Sequence, residues 1–268
     1  MKTPKLIAFV IFLYIGFFCF TYCSPKEPMT LKVMSYNIRH GEGLDTLLDL
    51  SRAAAVIKSV APDLCGIQEV DKHCSRSDTV DQTEYLAKST SMTGTFGKFM
   101  EYQGGEYGMA TLMAKPIVST TVLQLPEGKY EPRTSLVHEV QITDGCIIAF
   151  ANVHFDWIDD EDGRKNRLAQ ARTLVRHVDS LALPAIITGD FNCTPDSPTM
   201  RYFTSQGFVF VDKGEDNLSF QGNRKVEIDH LIFRDAGNVR FSKKSVDLLE
   251  EPVVSDHRPL VVELTVTY

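Results

Sequence analysis

Six short β-type runs of this chain each meet a carboxylate, an amide or an imidazole at one end, and that recurrence constrains the fold more than any other feature. Leu31 to Tyr36 alternates apolar and polar residues and delivers Asn37, and Leu64 to Gln68 delivers Glu69. Cys146 to Val153 ends at His154, and Pro184 to Thr188 runs into Gly189-Asp190-Phe191-Asn192. Asp229 opens the run through Phe233, and Asp256-His257 stands just ahead of Leu260 to Thr267. Between the first two strands, Leu47 to Val60 carries apolar residues at helical spacing (Leu47, Leu50, Ala54, Ile57) until Ala61-Pro62-Asp63 stops it. Strand, helix, strand is an α/β unit, and such sheets collect their sites at strand ends.

The same reading gives helices over 81–91, 165–181 and 199–206, strands over 107–114, 117–125 and 208–212, and a hairpin of 133–142 with 146–153 across Thr143-Asp144-Gly145. No repeat, low-complexity linker or composition break interrupts residues 30–268, so residues 31–268 are expected to form one domain, and the chain to be a monomer.

The N-terminus is different. Met1-Lys2-Thr3-Pro4-Lys5 is a short basic region, and Leu6 to Tyr22 is apolar almost without interruption. Residues 1–23 are therefore expected to be a secretory or lipoprotein signal, with 24–30 a polar tether. Cleavage after Cys23 would free the chain. Cys23 also resembles the lipidated cysteine of bacterial lipoproteins, although Tyr22 replaces the small residue usual before it. The protein is thus expected to be exported: periplasmic, secreted, or held at the bacterial envelope through a lipidated Cys23.

Loss of residues 1–23 removes Lys2 and Lys5 and no acid, taking the net charge from −7 to −9. A polyanion is repelled at long range by such a chain, which argues against a dedicated nucleic-acid binder. Cys65, Cys74, Cys146 and Cys193 remain; export permits disulfides, but the spacing chooses no pairing and shows no CxxC zinc motif.

A carboxylate beside an imidazole fixes its tautomer and raises its basicity, so Asp229 is a candidate partner for His257. Asp256, next in sequence to that histidine, points the other way along the strand and can reach a metal. Glu69 and Asn37 supply hard oxygen donors, which suit Mg²⁺ or Mn²⁺ better than zinc.

Taken in order, Ser-Tyr-Asn37, Ile-Gln-Glu69-Val-Asp71, Tyr-Gly108-Met-Ala-Thr-Leu, Asn-Val-His154, Gly-Asp190-Phe-Asn192, Ile-Asp229-His-Leu and Ser-Asp256-His257-Arg-Pro-Leu resemble the endonuclease/exonuclease/phosphatase superfamily across residues 31–268. The resemblance implies a DNase I-like four-layer α/β sandwich: two mixed, mainly antiparallel sheets face to face, with helices outside. It implies a metal held by Glu69, with Asn37 assisting and Asp256 on the metal side. Asp190 would orient or deprotonate the attacking water, and Asn192 would help hold the phosphate. His154 would hydrogen-bond the developing charge, and His257 with Asp229 would act as general base or phosphate contact.

His154 stands where members acting on abasic DNA carry Asn, and Arg39 where they carry an acid. Met109 replaces a small polar residue and is expected to alter packing near the site. Arg39-His40, Lys72-His73, Arg76 and Arg133 could bind a second phosphate, but most are read as solvated surface charge. Trp157 suits either stacking or rim packing. The expected activity is hydrolysis of a small or lipid-linked phosphoester. The alternatives are a secreted nuclease and an inactive binding module. Specificity is expected in the loops 39–46, 71–80, 100–107, 156–165 and 213–225.

Overall fold

A computed structural model describes residues 27–268, so the proposed signal and Cys23 lie outside the described residues. The strands are β1 (Met29–Asn37), β2 (Leu64–Lys72), β3 (Thr93–Tyr102), β4 (Gly105–Met113), β5 (Ile117–Gln124), β6 (Thr134–Thr143), β7 (Cys146–His154), β8 (Ala185–Asp190), β9 (Val209–Phe210), β10 (Asp229–Arg234), β11 (Arg240–Leu248) and β12 (Leu260–Thr267). The helices are α1 (Leu50–Val60), α2 (Gln82–Thr90), α3 (Glu161–Leu181) and α4 (Pro198–Ser205).

Two six-stranded sheets run in the orders β11-β12-β1-β2-β4-β3 and β5-β6-β7-β8-β10-β9. Only β1 with β2 and β7 with β8 pair in parallel; the other neighbours are antiparallel. Leu31, Val33, Leu64, Phe150, Ile186, Leu231 and Val262 share one core between the sheets. Met34, Tyr36, Cys65 and Ile67 turn outward onto α1 and α2, and Ala149, Val153 and Ile187 onto α3 and α4. These four layers are the expected sandwich.

The alternation of each strand aims its last residue. Asn37 has the parity of Leu31 and Val33, His154 that of Ile148 and Phe150, Asp190 that of Ile186, and Asp229 that of Leu231. All four therefore project between the sheets at one rim. The register aligns them: Asp190 is the Cα partner of both His154 and Asp229.

Two strands that the sequence pattern does not announce, β3 and β11, complete the first sheet. Gly94 and Gly97 break the apolar pattern of β3; at Gly97 a Cβ would meet Leu136 of the facing sheet at 2.8 Å. β11 is a polar edge strand in which only Phe241 and Leu248 are buried. α1 starts at Leu50, later than expected, because Asp49 caps it by accepting from the Ser51 amide. The four described cysteines are buried, and none is in a disulfide.

Candidate active site

At the rim lies a cleft of about 550 Å³ that Glu69, His154, Asp190, Asn192, Asp256 and His257 all line. Asp190 is its hub. Asn37 Nδ2 donates to Asp190 Oδ2 (3.2 Å) and to Glu69 Oε1 (3.0 Å), while His154 Nε2 and His257 Nε2 lie 3.6 and 3.7 Å from Asp190 Oδ2. Burial, then the charge of Asp229, pushes the Asp190 carboxyl up to about 7.

His257 Nδ1 and Asp229 Oδ2 are 2.8 Å apart, so the ring donates from Nδ1 and turns Nε2 to the cleft. Burial disfavours the imidazolium, but Asp229, by charge and hydrogen bond, outweighs it and holds His257 up to about 10. His154 is held well below its ordinary value by burial and by Arg133, and so stands neutral.

The turn that carries these groups is built locally. Gly189 sits at φ 146°, and a Cβ there would collide with the Val153 carbonyl, so only glycine lets β8 lie this close to β7. Asn192, at φ 50°, donates its amide to Asp190 Oδ1 (2.9 Å) and its Nδ2 to the Phe155 carbonyl (3.1 Å). Ser255 Oγ donates to the Asn37 carbonyl (2.7 Å) and accepts from the His257 amide, tying β1 to the last motif.

Glu69 departs from the alternation. Gln68 pairs with Met109 and Val70 with Gly108, leaving Glu69 unpaired in a β-bulge at φ 56°. Without the bulge it would share the outward parity of Cys65 and Ile67; with it, Glu69 turns into the cleft and Val70 resumes the outer face.

The donor chemistry fits a hard divalent cation. Glu69 makes no ion pair among the described residues, and burial followed by the charge of Asp256 raises its carboxyl above the usual range. The arginine nearest Asp256 is Arg39, 3.8 Å away. Two carboxylates share one space, and the positive charges of His257 and Arg133 offset their repulsion only in part. Ligand atoms of Asp190, Asp229 and His257 also lie within 4.8 Å of one another, but the Nδ1 proton of His257 is engaged by Asp229, which suits proton handling. Asn37 offers the site its amide nitrogen: Oδ1 accepts from the Arg39 backbone N–H, which can only donate (3.1 Å). In this arrangement Asn37 orients Glu69 and Asp190 through its amide nitrogen.

Four of the five anticipated loops reach the cleft, through Arg76, through Tyr102 and Tyr107, through Trp157 and Asp159, and through Phe220 and Arg224. The fifth contribution, Glu131 and Arg133, comes from a loop the sequence did not single out. Arg133 is not solvated: it is 1% exposed, stacks on Phe99 at 5.0 Å and pairs with Glu131 at 2.9 Å, leaving Nε and Nη1 without a partner among the described residues. Arg76 is clamped by Asp71 through two 2.8 Å bonds and lies over Tyr102. Met109 packs with Phe99, Tyr107 and Leu136 beside the site. Ser219, too, carries no signal in the sequence; its Oγ accepts from the Ile228 and Asp229 amides and so places Asp229.

A two-sheet sandwich with helices outside and this acid–imidazole rim is the DNase I-like α/β sandwich. The chain belongs to the Endonuclease/Exonuclease/phosphatase family, whose sequence profile matches residues 34–257. Solved structures of the same fold include an endonuclease/exonuclease/phosphatase from Beutenbergia cavernae (19% identity, TM-score 0.74, 88% of this chain and 71% of that one). The human Nocturnin catalytic domain is 19% identical with a TM-score of 0.70, over 89% of this chain and 95% of that one. A mannosyl-6-phosphatase of Bacteroides thetaiotaomicron is 23% identical with a TM-score of 0.66, over 87% and 99%. No curated protein matches the chain. Family members are phosphoester hydrolases and generally depend on a divalent metal.

Proposed function

We propose that this protein is an exported, divalent-metal-dependent hydrolase of a small phosphoester. The observation that carries the reading is the convergence on Asp190 of Asn37, His154 and the His257–Asp229 pair, beside Glu69 and Asp256 in one cleft. A bound Mg²⁺ or Mn²⁺, held by Glu69 and Asp256, would polarise the phosphoryl group and offset its charge. Asp190, buried and proton-hungry, takes the proton of the attacking water. His257, charged through Asp229, and neutral His154 donate hydrogen bonds to phosphoryl oxygens as charge builds on them. Asn37 keeps Glu69 and Asp190 in register. An inactive binding module would need none of this set intact.

A small substrate fits better than a bilayer lipid. Arginines, tyrosines and acids dominate the cleft, and Trp157 is its one half-exposed large apolar side chain. β1 is nine residues long, so Met29 and Asn37 stand roughly 26 Å apart. A chain held by residues preceding Met29 would carry its cleft at the opposite end of β1 from that attachment. Cell fractionation tests export: recovery in the cytoplasm alone would defeat it.

The purified protein should hydrolyse p-nitrophenyl phosphate or bis-p-nitrophenyl phosphate with Mg²⁺ or Mn²⁺ and not with EDTA. Glu69→Ala and His257→Ala should each lower kcat/KM by about 10²–10⁴-fold. Turnover confined to plasmid DNA would assign a nuclease, and turnover confined to sphingomyelin a lipid esterase. Folded protein inactive on all four would defeat the hydrolase reading for these classes.

A further inference from the structure

A second cavity, of about 290 Å³, lies beside the catalytic cleft and shares Asp159, Asn192, Arg224 and Ile228 with it. Among its lining residues is Arg167 of α3, only 3% exposed. Nη1 of Arg167 donates to the carbonyls of Asp156 (2.7 Å) and Ile158 (2.8 Å). Its Nε is buried with no partner, and Nη2 makes no hydrogen bond among the described residues either. Buried N–H groups left unpaired are costly, and a guanidinium in this state is built for an acceptor.

Two further features converge on the same space. Arg164, one turn earlier on α3, lines the cavity, is exposed, and makes no ion pair among the described residues. α4 begins there too. Ser197 accepts from the Met200 amide, Pro198 has no N–H, and the Thr199 amide has no partner among the described residues. A helix N-terminus with a free amide favours an anion. The two carboxylates of the lining are already engaged: Asp159 accepts from Arg224 (2.7 Å) and Asp196 from Thr194. On a chain of net charge −7, this is a local inversion of sign.

We propose that this cavity is a second anion subsite that takes a phosphate carried by the same small molecule whose other phosphate is cleaved. The inference rests on the reading of the neighbouring cleft as a phosphoester hydrolase. Asn192, which holds the turn next to Asp190, and Arg224, bridged to Asp159, line both cavities. The substrate class is a bisphosphorylated metabolite, with the outer phosphate held by Arg164, Arg167 and the Thr199 amide.

Two measurements test this and separate it from the catalytic reading. Inorganic phosphate is titrated calorimetrically into the purified protein in EDTA. Binding should weaken at least fivefold in Arg164→Gln and in Arg167→Lys, which keeps the charge but loses the planar fork, and should persist in His257→Ala. Absence of binding to the wild type, or loss in His257→Ala with none in Arg164→Gln, overturns the subsite. Next, fructose 1,6-bisphosphate and fructose 6-phosphate compete with p-nitrophenyl phosphate hydrolysis. The bisphosphate should inhibit at least tenfold more tightly than the monophosphate in the wild type and equally in Arg164→Gln. Equal inhibition in the wild type overturns the bisphosphate assignment. Arg164-dependent phosphate binding in a protein without hydrolytic activity would instead leave the subsite standing and remove the catalytic reading.

Discussion

At Glu69 the backbone is held in the left-handed region, which costs a long side chain of order 1 kcal/mol, and the carboxylate faces Asp256 at close range. Strain and like-charge repulsion at one residue are tolerable if a cation binds there. Glu69→Asn should therefore gain about 1 kcal/mol in urea melts run with EDTA, because Asn accepts positive φ readily and carries no charge. The same variant should lose its thermal shift with Mg²⁺ and its activity. A variant that is destabilised without metal would contradict this account. The other inward-facing site residues were legible as a group, because Asn37, His154, Asp190 and Asp229 continue the parity of buried apolar residues on their own strands. Glu69 was legible only as a polar strand end; nothing in Ile67-Gln68-Glu69 announces the bulge that reverses its direction. Arg133 was legible only as a candidate phosphate contact in a surface loop; its burial depends on Phe99, 34 residues away in a strand whose glycines hid it.

At the scale of elements, the central strands were legible because both of their faces are covered and apolar, and the edge strand β5 was read from its β-branched residues. β11 escaped because its edge position rewards polarity. Lys243 and Lys244 stand where a bulge interrupts its pairing with β12; Lys243 Nζ donates to the Asp212 carbonyl, and Lys244 pairs with Glu263 at 3.1 Å. Charged side chains on an open edge keep another chain from adding a strand. Replacing both lysines with valine should cost the fold at most about 1 kcal/mol, the scale of surface ion pairs, yet produce concentration-dependent association in light scattering beyond that of the wild type. A double variant that scatters like the wild type at high concentration would show that the lysines are not what protects this edge. The two sheets, by contrast, are locked by a polar bridge. Asn152 on β7 donates to the Ile67 and Ala110 carbonyls and accepts from Gln68 Nε2, all on the opposite sheet, and Gly66 leaves room for it. The Asn-Val-His motif thus contains one residue for the site and one for the sandwich.

For the whole molecule the question is what parts the sheets in acid. His138 of β6 is fully buried between them, with Nε2 2.8 Å from Thr111 Oγ1 on β4 and Nδ1 2.9 Å from Thr120 Oγ1 on β5. No carboxylate partners the ring in these contacts, so burial pulls the imidazole down from 6.5 to about 4. The folded protein therefore keeps His138 neutral at a pH where the unfolded chain binds a proton. Stability from this group is fully present above about pH 6.5, declines as pH falls toward 4, and is constant below it. A displacement of this size corresponds to about 3 kcal/mol. Carboxylates and other buried histidines add their own pH dependence, so the informative quantity is a difference between two proteins. His138→Gln retains an amide donor and acceptor for the two threonines and does not titrate. Urea unfolding at pH 7, 6, 5 and 4.5 should show the wild type losing more stability than His138→Gln does, by about 2 kcal/mol or more, most of it between pH 6 and 4.5. The wild type should remain the more stable protein at pH 7, where its packing is undisturbed. Parallel pH profiles would mean that protonation of His138 is not what opens the sandwich, and would turn attention to the buried carboxylates of the rim.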